Sequence, residues 1–450
     1  MVTQERLNNA VSGELTTFHV LAKDFERNDS EAAQETLRVS KGLKARENAL
    51  AVELIQDSSL DVYEASLKSW EPRLEFRYGT KLASDTGALA REIAIETLAI
   101  FSEESGSLTY LLKDSPFTNA AIGSHLTSER QESLDKRTTR AFKYASTYHL
   151  TFSLFTSSAS PSSWQIEEAV QQYLQPLIAR LSSISDFTID TQVQLYASFS
   201  PSIAGPQYDS QAAAWLLQPS DLSGFVNAAE WPLSPSIGSG PTINFVLYVP
   251  SQQQSPLKLA ETGGYSWLIP QWGGVQILNP TSKQSDLLTI EDLRPVMLMF
   301  ADQLMSLVGV PSSPASLSLR INSLTRERAT SLLLSTASTL GALLRLTEKL
   351  QSIAIPKSVA NSVDDAIHHL EQACQNIREG RFQSGLENAR IANDEAEQAF
   401  FEPSMVGQVY FPEEHKVAVY VPLLGPMAVP LVMSALKEFK SWRKRKLKST

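Results

Sequence analysis

The single cysteine, Cys374, and the six histidines (His19, His125, His149, His368, His369 and His415) are the residues with which this chain could do nucleophilic or metal chemistry. A cysteine nucleophile needs a base within hydrogen-bond reach of its sulfur. His368 and His369 are nearest in sequence, but they share one predicted helix with Cys374. Offsets of six and five residues turn both imidazoles off the face of the cysteine. A lone helical cysteine usually packs as a small apolar side chain, which argues against an independent cysteine-dependent hydrolase. The histidines are scattered, with neither HxxxH nor CxxC spacing, so no zinc set forms. No Walker loop or GxGxxG run offers a phosphate cradle, and the pairs Gly263-Gly264 and Gly273-Gly274 read as turns. No catalytic, cofactor-binding or metal-binding residue is assigned.

Binding residues are better represented. The segment Ser266–Pro280, SWLIPQWGGVQILNP, sets Trp267 and Trp272 beside Pro and Gly-Gly. Aromatic loops of this kind form interfaces or stack on sugars; the alternative is a core turn with packed indoles. Asn28-Asp29-Ser30 is the usable glycosylation sequon, because Pro280 blocks Asn279-Pro280-Thr281.

The charge distribution narrows the function classes. The chain holds 39 basic and 49 acidic residues, but residues 437–450 take seven Lys/Arg and one Glu of these. The first 436 residues therefore carry 32 basic against 48 acidic groups, a body that repels nucleic acid. With one cysteine no intrachain disulfide forms, so compartment must be argued from elsewhere.

It is argued from Val417–Leu436, VAVYVPLLGPMAVPLVMSAL, twenty residues without a charge. As a helix they span about 30 Å, the thickness of the hydrocarbon core. Tyr420 and Trp442 fall where interfacial aromatics belong, and the basic cluster that follows is expected in the cytosol. The acidic body is then expected on the other side. Lys446 and Lys448 match the dilysine pattern that retrieves membrane proteins to the endoplasmic reticulum. Pro422, Pro426 and Pro430 recur every four residues and remove backbone donors, leaving carbonyls that lipid cannot satisfy. That face, with Gly425 permitting close approach, is expected to pack on partner helices. The first residues contain no apolar run, although this topology needs an N-terminal signal-anchor; the sequence is expected to be truncated there.

Along the chain, residues 1–60 read as polar and largely helical, Ser84/Asp85 caps a helix through Leu89, Ile93, Ile100 and Phe101, and residues 115–140 read as a charged loop. Tyr148–Phe155 reads as a strand, Ser162–Gln165 as a capping box, and Ile166–Leu181 as a helix kinked at Pro176. Gln192–Phe199, Thr242–Val249 and Gly274–Leu278 read as further strands, residues 200–240 as a long loop, and Ile290–Val308 as a covering helix. The expected fold class is α/β: a mixed sheet covered by helices over residues 1–322, a helical bundle over 323–405, a transmembrane helix over 417–436 and a basic tail over 437–450.

Several long strings resemble the PIG-S family, a subunit of the GPI transamidase complex: YHLTFSLF (148–155), TQVQLYASFS (191–200), FVNAAEWPLSP (225–235), INFVLYVPS (243–251), SWLIPQWGGVQILNP (266–280) and YFPEEHKVAVYVPLLGPMAVPLV (410–432). PRLEFRYGTKLASDTGALA (72–90) also resembles it. The resemblance implies a lumenal α/β domain between two membrane spans, with both termini cytosolic. It implies a membrane complex of the endoplasmic reticulum that removes a C-terminal propeptide and joins the new carboxyl end to the amine of a GPI lipid. Its implied partners are the cysteine-protease-like PIG-K, which holds the catalytic residues, together with PIG-T, PIG-U and a Gaa-type subunit. No family active-site residue maps onto this sequence. The rival classes are a lumenal glycan- or lipid-binding module using Trp267 and Trp272, and the cysteine hydrolase disfavoured above.

Overall fold

The computed structural model describes residues 17–22, 49–113, 127–197, 205–225, 240–280, 286–349, 355–403 and 413–447. The chain divides into two units, one formed by Met1–Thr330 with Arg378–Leu386, the other by Ser331–Ile377 with Glu387–Thr450.

Among the described residues the first unit contains four sheets, of which the two larger have four and five strands. The four-stranded sheet has the order β1-β2-β4-β3, built from β1 (Thr17–Ala22), β2 (Ala49–Gln56), β3 (Tyr63–Leu67) and β4 (Arg73–Tyr78), with β3 antiparallel. Residues 17–22 and 49–56 are therefore strands, contrary to the helical expectation for residues 1–60. Leu50, Val52 and Leu54 alternate with a period of two, and all three are buried. They pack with Leu74 and Phe76 against Leu89, Ile93 and Phe101 of helix α1 (Thr86–Lys113). As expected, Asp85 caps α1: its Oδ1 accepts the N–H groups of Gly87 and Ala88, both at 3.0 Å. The opposite face of this sheet is ionic, with Glu75 held between Lys68 and Arg77. The expected loop at 115–140 ends in a helix, α2 (Ser128–Arg140), capped by Thr127. Leu134 is its one buried side chain, so no apolar stripe announces it.

The five-stranded sheet carries the centre of the unit. It is built from β5 (Thr147–Thr156), β7 (Asp186–Gln194), β10 (Thr242–Val249), β12 (Ser266–Ile269) and β13 (Gly273–Ile277), in the order β12-β13-β10-β5-β7. Four strands are parallel and β12 is antiparallel, which makes the sheet mixed. Helix α3 connects β5 to β7 in three parts, Ile166–Ala169, the π-helical Val170–Leu174 and Gln175–Leu181. Pro176 lies in the first turn of the last part, and the wider π turn before it absorbs the missing donor. The expected capping box at Ser162 does not form. Instead Ser163–Trp164 makes the two-residue strand β6, paired to β14 (Leu287–Leu288), and the N-cap is Gln165. The second strand runs over 186–194 rather than from 192, because its apolar positions lie on a half-exposed edge where alternation is weak.

Helices cover one face of this sheet, α3 together with α4 (Ile290–Val308). Thr289 and Asp292 close a full capping box on α4. On that face Phe152, Phe245 and Phe300 are fully buried with ring centroids 5.0–6.0 Å apart; burying each contributes about 1.5–3 kcal/mol. The other face meets a three-stranded sheet of order β11-β9-β8, formed by β8 (Gln207–Asp209), β9 (Ala214–Leu217) and β11 (Leu257–Leu259). The segment expected as one long loop thus supplies two strands, whose Leu217 enters the core with Phe155, Val246, Tyr248 and Val275.

Three long helices follow: α5 (Leu317–Lys349), α6 (Lys357–Arg378) and α7 (Phe382–Phe400). They are separated near Ile355-Pro356 and at Gly380, which adopts φ +75°, as the breaks in the sequence suggest. In the second unit Leu343 near the end of α5, Val359 near the start of α6 and Ala399 near the end of α7 pack together, which fits antiparallel neighbours. Ala366, Ala373, Ala389, Ala392 and Ala396 are buried, small enough for helices to approach closely. Helix α8 (Glu413–Leu447) completes the unit, with 35 residues in one continuous rod.

Candidate functional site

Open α/β sheets bind ligands beyond the carboxyl ends of their strands, at the point where strand order reverses. Here that point lies between β5 and β10, since β7 lies to one side of β5 and β10 to the other. The chain fills it with its own serines. Ser157 donates its N–H to the Val249 carbonyl at 3.1 Å, Thr156 Oγ1 donates to Ser158 O at 2.8 Å and Ser158 Oγ to Ser160 O at 2.6 Å. Ser160 in turn bonds Asp286. Beside them burial pushes the Tyr248 hydroxyl up to about 12. Hydroxyls committed in this way hold a loop in place and are not turned outward to a substrate.

The residues singled out from sequence are dispersed. Cys374 is free and half-buried on α6. His369 of the same helix is hydrogen-bonded through Nδ1 to Asn388 Oδ1 at 2.8 Å, and His368 sits edge-on against it. No group of three or more metal-ligating side chains occurs among the described residues.

Trp267 and Trp272 belong to the β12–β13 hairpin, and both pack half-buried on the core cluster around Val275 and Ile277. Gln303 of α4 donates to Trp267 O at 3.1 Å, while Gln271 at the tip is tied to Arg140 O and Thr139 O at the end of α2. Gly273-Gly274 is no turn. It opens strand β13, where a Cβ on Gly273 would lie 1.8 Å from Asn244 O and one on Gly274 1.9 Å from Gln303 Oε1. Both indoles are thus bracketed by structural bonds. By contrast Gly263, at φ +65°, does sit in a turn with open space beside it.

Sequence singles out His149 as one of six histidines but not the buried polar row on β5 to which it belongs. His149, Thr151 and Ser153 share a face of β5, with His149 Nδ1 2.6 Å from Thr188 Oγ1 and Ser153 accepting from Gln192 Nε2 at 2.9 Å. Alternation with Leu150, Phe152 and Leu154 is its signal. A buried ionic group is equally hidden: Arg137 Nη2 meets Glu327 Oε2 at 2.7 Å and Arg326 pairs with Glu104. Burial raises the Glu327 carboxyl above its usual range, against the pull of Arg137, and lowers the Arg328 guanidinium.

Helix α8 is the other distinctive surface. Tyr420, Val421, Leu424, Met427, Val429, Leu431, Val432, Met433 and Leu436 are each more than half exposed. Pro422, Pro426 and Pro430 lie inside it, and a Cβ on Gly425 would meet nothing within 4 Å. The missing donors leave the carbonyls of Ala418, Pro422 and Pro426 in one row. Lys446 lies in the last turns of α8, whereas Asn28 and Lys448 fall outside the described residues. Exposed apolar area this continuous marks a surface made for lipid or protein.

A profile of the family described as phosphatidylinositol-glycan biosynthesis class S protein, PIG-S, matches residues 2–445. The chain belongs to the PIG-S family. It is 32% identical over 355 residues to the Bos taurus protein named GPI-anchor transamidase component PIGS, covering 72% of this chain and 63% of that protein. The Schizosaccharomyces pombe protein named GPI transamidase component PIG-S homolog is 33% identical over 323 residues, 69% of this chain and 57% of its own length. Similarity extends to the Saccharomyces cerevisiae GPI transamidase component GPI17, 27% identical over 310 residues, 64% of this chain and 57% of that one. The chain spans less than two thirds of the length of these curated PIG-S relatives.

Proposed function

We propose that this chain is a non-catalytic structural and assembly subunit of a GPI transamidase complex, supporting the transfer of GPI anchors to the C-termini of precursor proteins in the endoplasmic reticulum. The observation that carries this reading is the PIG-S match from residue 2 to residue 445, with relatives named as transamidase components. In this reading the catalytic residues lie on a PIG-K-type chain, and PIG-T, PIG-U and a Gaa-type subunit complete the assembly. Cys374, on the same helix as its nearest histidines, supports placing the chemistry elsewhere.

The membrane helix of this reading is α8, with the basic tail in the cytosol and the bulk of the chain in the lumen. Two helices compete for that role. Helix α5 is long and apolar enough to cross a membrane. Yet its first turns bury Arg326 and Glu327, and Leu343 packs on Val359 and Ala399, contacts that engage α5 within the protein although most of its apolar stretch is not buried. The apolar side chains of α8 instead stand exposed. Its Pro422, Gly425, Pro426 and Pro430 face docks on partner helices, Lys446 and Lys448 serve retrieval, Asn28 carries a glycan, and the hairpin of Trp267 and Trp272 braces an interface.

The test is complementation. Cells lacking their own PIG-S regain a GPI-anchored surface reporter, scored by flow cytometry, when supplied with this protein. Cys374→Ala restores the reporter equally well. If Cys374→Ala still assembles but leaves the reporter unanchored, the non-catalytic reading is wrong.

A further inference from the structure

The outer strand β7 pairs with β5 alone among the described residues. Asp186 donates its N–H to Ser146 O at 2.8 Å, which fixes the phase of the parallel ladder. Even-numbered residues of β7 turn their main chain toward β5; Phe187, Ile189, Thr191 and Val193 turn theirs outward. This free edge is nine residues long, with neither proline nor lysine in it. The opposite edge, β12, has four residues and belongs to a hairpin tied down at its tip. Natural sheets shorten, charge or cover such an edge unless something pairs with it.

The side chains specify what would pair. Ile189 and Val193 lie on the helix-covered face, 37% and 41% exposed at its rim. On the other face stand Asp186, Thr188 and Asp190, all exposed, the two aspartates being the only charges of the strand. We propose that β7 receives an extended segment of another subunit as a sixth strand, a deduction that rests on the assembly role proposed above. The segment alternates apolar, β-branched side chains over Ile189 and Val193 with basic or amide side chains opposite Asp186 and Asp190. Main-chain bonds supply the affinity of such strand addition, and the alternating side chains supply its selectivity.

Residue-resolved hydrogen exchange on the whole complex, compared with this chain alone, tests the proposal. The outward amides of Ile189, Thr191 and Val193 slow at least tenfold on assembly, while the inward amides of Thr188, Asp190 and Gln192 are slow in both. Thr191→Pro deletes an outward donor without removing a bond to β5, and Val193→Lys places a charge at the rim. Each lowers recovery of the complex at least tenfold; if the proline variant unfolds, the lysine variant decides. Outward amides that exchange as fast in the intact complex as in the free chain overturn the sixth strand. Protection that grows with the concentration of the isolated chain would make the occupant a second copy, which also overturns it. A wild-type chain that enters no complex defeats the assembly role first, and this proposal with it.

Discussion

Gly273→Ala tests the close approach on which the β10–β13 ladder depends. The added Cβ would lie 1.8 Å from Asn244 O, 2.7 Å from its carbonyl carbon and 2.8 Å from its nitrogen. Since these are backbone atoms, no side chain can swing aside, and β13 must retreat by roughly 1.5 Å or more to restore ordinary contact. That retreat weakens the bond from Asn244 N–H to Trp272 O, now 3.0 Å, and strains the neighbouring pairs. Losing one or two ladder bonds costs about 0.5–1.5 kcal/mol each, and overpacking the adjoining core of Val275, Trp267 and Trp272 about 1–3 kcal/mol. Together they predict a loss of about 3 kcal/mol, or about 6–12 °C at about 2–4 °C per kcal/mol for a unit of this size. Trp215, Trp267 and Trp272 flank this core, so thermal unfolding followed by tryptophan fluorescence reports on it. Gly263→Ala, in open space, is the comparison; its cost is confined to the φ of +65°, about 1 kcal/mol. A Gly273→Ala melting temperature within a degree or two of wild type would refute the argument.

Three further outcomes are expected. Arg137→Ala strands Glu327 in the interior and destabilises the first unit by about 3–5 kcal/mol in denaturant titration, whereas replacing both partners by leucine recovers most of that loss. Because burial raises the folded carboxyl of Glu327 above its unfolded value, its protonation contributes stability that is fully present below the unfolded value and is lost as pH rises through the raised folded one; Glu327→Gln flattens the profile there. Leucine at all three of positions 422, 426 and 430 restores the helical donors of α8 and removes the carbonyl row, so partner subunits co-purify less well while membrane extraction is unchanged; undiminished recovery would remove the packing role.

The strong periodicities of the chain are legible in its residues alone. Thr242–Val249 and Ile290–Val308 lie where their patterns put them, because a fully buried strand and a capped amphipathic helix each carry their own signal. The breaks at Pro356 and Gly380 are equally plain. The elements that sequence does not announce are set by partners distant along the chain. Residues 49–56 alternate as a strand only because β4 and α1 give Leu50, Val52 and Leu54 a surface to bury against. Helix α2 shows no apolar stripe, and Gly273-Gly274 resembles a turn until Asn244 and Gln303 are seen pressed upon it. Of the candidate surfaces, the exposed run of α8 is visible as uninterrupted apolarity, whereas the free edge of β7 exists only in the strand order.

The hydroxyl and imidazole row on β5 has a consequence for how the chain finds its fold. Seen from the helix-covered side, β7 offers Phe187, Ile189, Thr191 and Val193 to Tyr148, Leu150, Phe152 and Leu154, an oily pattern nearly unchanged if the strand slides by two positions. The hydrated-looking side is not so forgiving. A slide in either direction breaks the native pairs His149–Thr188 and Ser153–Gln192 and sets an aspartate carboxylate, costly to desolvate, against the buried His149 in place of a hydroxyl. Grease draws these two strands together, and a few polar teeth decide where they stop.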